Sequence, residues 1–342
     1  MLATFCSTSS SRRVGGFNML RKKLPMTTLH RASLPKKSRN IISSIILIFF
    51  IFMVIFICST SPVFAEEKKA DAALEKAPLK VNKTSPVQKP IALTKQYKED
   101  LKHYLTGEQI KPLLAGPDDY LTLVKKYTST NSKGVAILLP DWQQGATNPK
   151  AINYLRNILP SKGWNTIAIQ PSNKPGNYPS TAITVEEQKK ENKLTLDDYK
   201  KKLSSMINAV MNTAREYSSI VLVIAQGNNA ALLVDLYSQE GSQRPNALIM
   251  LSSYRQSNHA LIDGVNENFA RQLAFIEMPV LDLYLKHDNS LVLAKAAQRH
   301  SLAKQEMKVY FRQRQLNNTV TGYYPEEELL IQINSWLKAI GW

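Results

Sequence analysis

"SSIVLVIAQGNNAALLVDLYSQEG", residues Ser218–Gly241, is the stretch on which the fold turns. Ile220–Ala225 is a continuous apolar run, the mark of a strand buried on both faces. It is followed with no spacer by a glycine turn and then by apolar positions at helical spacing, which predicts a helix over Asn228–Gln239. A strand that turns this sharply into a helix lifts the residue at the bend above the sheet. That residue is Gly227, and the letters around it read A-Q-G-N-N.

The same alternation of strand and helix continues on both sides. Upstream, "GVAILLP" carries a buried strand over Val135–Leu139, and "NPKAINYLRNILPSKGW" predicts a helix with Asn148 as its N-cap and Pro149 at its first position. Gly163-Trp164 then reads as a helix C-cap followed by a core or sheet-edge aromatic. A strand over Asn165–Ile169 leads through a polar loop of about 25 residues to "TLDDYKKKLSSMINAVMNTAREY", where Thr195 and Asp198 have capping-box spacing. Downstream come strand Ala247–Ser252, a helix within Asn258–Phe275, strand Val280–Leu285, helix "NSLVLAKAAQRHSLAK", strand Lys308–Arg312 and a closing helix from Pro325. Before all of these, "IKPLLAGPDDYLTLVKKY" reads as a hairpin across a Gly-Pro-Asp-Asp turn. Six strands separated by helices imply a mainly parallel sheet covered on both faces.

The 342 residues carry a formal charge of +17. Nine of the 44 basic residues and none of the 27 acidic ones lie in 1–65, so residues 66–342 carry only +8. The excess is a feature of targeting, and no nucleic-acid partner is expected. A basic region ending at Arg39 precedes "IISSIILIFFIFMVIFIC" (41–58) and then "STSPVFAEE". Basic flank, apolar run and small residues before an acidic start are the grammar of export. Two readings stay open: a signal peptide cleaved after Ala65, or an uncleaved anchor that puts residues 41–58 in the inner membrane with the C-terminal domain outside the cytoplasm. The length of the basic region also leaves Met19 and Met26 open as starts. The only cysteines, Cys6 and Cys58, fall in this segment, so the remainder forms no disulfide. The chain thus divides into 1–65, a Lys/Ala/Pro-rich disordered linker over 66–95, and one domain over 96–342.

From about residue 110 the chain resembles the α/β-hydrolase superfamily and, within it, a bacterial family of unknown function. The matching pieces are the hairpin between Leu114 and Leu123, Gly134–Pro140, Leu159 to Pro171 with Gly163-Trp164, and Ala225–Ala230. The resemblance implies an α/β fold: a doubly wound, mainly parallel sheet of α/β-hydrolase type preceded by a β-hairpin. It also implies that the strand-to-helix bend is a nucleophile elbow, G-x-S-x-G in active members. Carried over, Ala225 stands for the first glycine, Gly227 for the nucleophile and Asn229 for the last glycine. Glycine cannot attack a carbonyl. Asp288 matches the acid position, but the region after the last strand holds no histidine, and His103, His259, His287 and His300 all lie elsewhere. Two of three catalytic roles are therefore empty.

The resemblance leaves an oxyanion hole as the feature that could persist, with N–H donors from Asn228 and from Trp142 or Gln143. Trp142, Gln143, Gln226, Gly227 and Asn228 are accordingly the candidate ligand-binding residues. The two asparagines also predict a turn that no longer holds a strained residue. No metal site is expected, since the adjacent His287 and Asp288 would point to opposite faces of a strand; no cofactor is expected either, because the glycine turn has neither phosphate-loop nor dinucleotide spacing. The expectation is an exported, non-catalytic domain that binds an acyl, lipid or glycan ligand or an envelope protein. The alternative is an esterase or peptidase with a displaced nucleophile, Ser252 or Ser253, drawing on His259, His287 or Asp288.

Overall fold

The computed structural model describes residues 91–107 and 109–342; the basic region, the apolar run 41–58, the Ala65 cleavage point and most of the linker lie outside the described residues. Chain order is α1 (Leu93–Tyr104), β1 (Ile110–Ala115), β2 (Asp118–Lys125), β3 (Gly134–Leu139), α2 (Ile152–Ile158), β4 (Trp164–Ile169), α3 (Val185–Tyr217), β5 (Val221–Gln226), α4 (Gly227–Tyr237), β6 (Ala247–Leu251), α5 (Val265–Phe275), β7 (Val280–Leu285), α6 (Ser290–Gln305), β8 (Phe311–Leu316) and α7 (Glu326–Ala339). A single sheet has the order β1-β2-β4-β3-β5-β6-β7-β8. The hairpin pairs antiparallel within itself and with β4; every other pairing is parallel. This is the doubly wound α/β-hydrolase fold, with its hairpin at one edge.

Alternation along the central strands divides the core into two layers. Val135, Ile137 and Leu139 of β3, with Val223 and Ala225 of β5, face Leu203, Met206 and Val210 of α3 and Phe269 of α5. Ala136 and Leu138, with Leu222 and Ile224, face Leu155 of α2 and Ile333 and Trp336 of α7. Every residue of β3, β5 and β6 is buried, which is why these strands carry no polar alternation in sequence.

Several boundaries differ from those expected. Helix α1 begins inside the segment read as linker, because Leu93, Tyr97 and Leu101 already share one helical face. Asn148 does not cap α2, which starts at Ile152. Its side chain instead accepts the N–H of Lys150, closing a turn before the helix. Helix α3 starts at Val185, ten residues before Thr195, and is capped by Thr184, whose hydroxyl accepts the N–H of Glu187. Thr184→Ala is expected to cost about 1 kcal/mol, measured as a lower denaturant midpoint. Strand β8 begins three residues beyond Lys308 because Met307 (φ 48°) and Tyr310 (φ 55°) are left-handed and break extension there. The Arg312–Gln315 run lies in that edge strand.

Among the described residues no helix is long and apolar enough to cross a membrane.

The topology itself places a site. From β3 the chain moves to β4 on one side; from β5 it moves to β6 on the other. Loops leaving β3 and β5 therefore diverge, opening a crevice at their carboxyl ends. Leu139 pairs with Ala225 across these strands, so Asp141 and Gly227, each two residues further on, arrive at the same level.

Candidate functional site

Gly227 keeps the bent conformation of an elbow, with φ +59°. Asn228 and Asn229 are not left-handed and continue as α4. The asparagines thus have the ordinary backbone angles expected of a relaxed turn. The left-handed residue persists, but as glycine, which adopts it without strain.

The space a nucleophile would occupy is filled. A Cβ built on Gly227 would stand 2.5 Å from Cγ of Asp141 and 2.7 Å from both its carboxylate oxygens. Asp141 Oδ1 accepts the N–H of Asn228 at 2.9 Å, the donor that the residue after a nucleophile would offer to an oxyanion. Burial, only partly offset by hydrogen bonds from the backbone of Trp142, Asn228 and Asn229, pushes the Asp141 carboxyl up to about 6. The Asn228 N–H is therefore taken by the protein's own carboxylate.

Asn229 explains why the last elbow position is not glycine. Its Nδ2 donates to the carbonyl of Pro140 (2.8 Å), and its Oδ1 accepts the hydroxyl of Tyr199 on α3 (2.9 Å). This fully buried amide ties the end of β3 to the elbow and to α3. Asn228, also buried, accepts the N–H of Gln256 at Oδ1 (2.8 Å), holding the loop after β6.

That loop begins with Ser252, left-handed at φ 49°. Its Oγ donates to Asp288 Oδ2 at 2.5 Å and is in contact with the hydroxyl of Tyr324. Asp288 is further fixed by the N–H groups of Leu285 and Asn289. Tyr324 comes from the loop after β8, where a catalytic histidine was sought. Burial and the Asp288 charge raise the Tyr324 phenol well above its ordinary range. It remains protonated and cannot serve as a general base near neutrality.

These groups border one cavity of about 250 Å³, lined by Asp141, Gln226, Gly227, Ser252, Asp288 and Tyr324, with Gln144, Lys150, Tyr254, Asn289, Thr321 and Gly322 completing it. No aliphatic side chain lines it. The candidate residues thus separate. Gln226 and Gly227 border the cavity, and the Asn228 N–H is committed to Asp141. The Trp142 ring is buried edge-on between Tyr178 and Tyr199, with both centroids at 5.5 Å. Gln143 is exposed and outside the lining. Ser253 is buried and does not reach the cavity. His259 borders a different groove, beside α3, and His287 is held by its backbone N–H to Asn318, outside the lining. Among the described residues no three His, Cys, Asp or Glu side chains are grouped to hold a metal ion.

Sequence reasoning missed Asp141, Tyr324, Tyr254 and Lys150. Asp141 alone left a signal: it stands two residues past the apolar run that ends at Leu139, as Gly227 stands two residues past the run that ends at Ala225.

A family model described as "Protein of unknown function (DUF3530)" matches residues 46–339. The chain belongs to the DUF3530 family. No curated protein matches the sequence. Among solved structures, this DUF3530 chain is similar to TT1662 from Thermus thermophilus (16% identity, 67% of this chain and 98% of that one, TM-score 0.47). It is similar also to Est1E from Butyrivibrio proteoclasticus, solved with ferulic acid (10% identity, 67% and 98%, TM-score 0.48). A third likeness is to an alpha-beta serine hydrolase homologue from Coxiella burnetii (10% identity, 70% and 100%, TM-score 0.44).

Proposed function

We propose that this DUF3530 domain binds a small hydroxylated ligand of glycan type in the elbow cavity and does not carry out serine-type hydrolysis. The observation that supports this reading is Asp141. Its carboxylate stands in the nucleophile's space and takes the Asn228 N–H, so neither attack nor oxyanion stabilisation has a place there. The cavity remains open beside it, lined by carboxylates, amides and hydroxyls. Such groups suit hydroxyl-rich ligands; the lack of aliphatic lining speaks against an acyl chain or lipid tail.

A fluorophosphonate probe is expected to leave the purified protein unlabelled, and a panel of simple esters unhydrolysed. The second reading, hydrolysis through a displaced Ser252, is favoured by one feature, the 2.5 Å hydrogen bond to Asp288 on a left-handed residue. Labelling that disappears in Ser252→Ala would establish that reading and sink the first.

The export reading rests on residues 1–65 and on the cysteine-free remainder. Amino-terminal sequencing of protein from the cell envelope distinguishes its two forms. A chain beginning at Glu66 means a released domain, and one retaining residues 41–58 means a tethered one. Recovery of the whole chain from the cytosol overturns both.

A further inference from the structure

We propose that the ligand of the elbow cavity carries a protonated amine. The inference rests on the binding reading above and narrows it to a chemical class. Two acceptors bordering the cavity have no partner. Asp141 and Asp288 contribute carboxylates. Gln144 and Gln226 border the same space, and the side-chain oxygen of each is buried with no donor, Gln226 being only 5% exposed. The Ser252 hydroxyl is already committed to Asp288 and also meets that of Tyr324. The donors in the lining, Lys150, the hydroxyls of Tyr254 and Thr321 and the amides of Gln144, Gln226 and Asn289, leave those two amide oxygens without a partner.

Charge points the same way. The one cation in the lining is Lys150, which forms no ion pair among the described residues and lies beside Gly322. Two carboxylates against one ammonium leave a net negative site. An anionic ligand would meet the Asp141 carboxylate in the very pocket that ought to receive it. An alkylammonium brings three donors and a compensating charge, and inside a partly enclosed cavity that charge counts for more than in water. At about 250 Å³ the space is below the range for drug-sized ligands. It suits a fragment such as an amino sugar or a small amino alcohol.

The test is calorimetric titration of the full-length protein in detergent near pH 7 with glucosamine, ethanolamine, glucose and N-acetylglucosamine. Glucosamine is expected to bind about tenfold more tightly than glucose or the acetylated sugar, which lacks the charge. Asp288→Asn should abolish that preference. Lys150→Met should strengthen glucosamine and ethanolamine binding several-fold by removing the competing cation. Equal affinity for glucose and glucosamine overturns the amine inference while leaving the hydroxylated-ligand reading in place. Binding by neither sugar nor ethanolamine overturns both. Weaker amine binding in Lys150→Met overturns the charge argument even if the Asp288 variant fails to fold.

Discussion

Restoring serine at the elbow, Gly227→Ser, is expected to destabilise the domain by about 3–5 kcal/mol and to restore no hydrolysis. Three costs combine. A side chain at φ +59° gives up the conformational freedom of glycine, about 1 kcal/mol. The new Cβ falls 2.5 Å from Asp141 Cγ, a distance real Cβ atoms do not adopt, so the carboxylate must move. Moving it breaks the 2.9 Å bond from Asn228 and leaves a buried N–H and a buried carboxylate unsatisfied. The collision can be separated from the backbone term by a double-mutant cycle of Gly227→Ala and Asp141→Ala. With Asp141 truncated, Gly227→Ala should cost only about 1 kcal/mol, the conformational share. Equal cost in both backgrounds would falsify the packing account. Hydrolysis should stay absent in every combination, including Gly227→Ser with Asp141→Ala, because Tyr324 in place of histidine supplies no base.

The contrast between what was legible in the sequence and what was not follows from the range of the interactions. Strands β3, β5 and β6 are buried on both faces, so each announces itself locally as an unbroken apolar run. The hairpin announces itself through Gly116, which takes φ +64° at the turn. The first turns of α3 were hidden because residues 185–194 project polar side chains and show no apolar stripe. Edge strand β8 was displaced because Arg312–Gln315 offer no hydrophobic alternation. The empty elbow could be read from Gly227 alone. Its occupant could not, since Asp141 reaches the Asn228 N–H across 87 residues of sequence. Tyr324 shows the same limit. A missing histidine is visible in a sequence, but the residue that replaces it becomes visible only once the loop after β8 is placed beside Ser252 and Asp288.

Asp141 also makes a prediction about pH, and its sign is opposite to that of a salt-bridged carboxylate. Its group titrates at 3.8 when unfolded and at about 6 in the native protein, chiefly because burial penalises the charged form. Between those values the folded state holds a proton that the unfolded state has lost, so this group's contribution to stability falls as pH rises through the window. Well below pH 4 both states are protonated and the penalty vanishes; well above pH 6 it is fully present, at about 3 kcal/mol. Asp141→Asn cannot titrate and removes this dependence while keeping an acceptor for the Asn228 N–H. The amide it introduces faces backbone donors and adds a cost of its own, but that cost does not vary with pH. The slope is therefore the readout, and the absolute level is not. All other titrating groups are common to the two proteins and cancel in the difference. Measured by denaturant midpoints from pH 4 to 8, the variant should gain about 2.5 kcal/mol on the parent across the range, most of it between pH 4 and 6. Parallel curves would mean that the carboxylate in the elbow is solvated and titrates normally. In that case it could not be the buried occupant on which the non-hydrolytic reading depends.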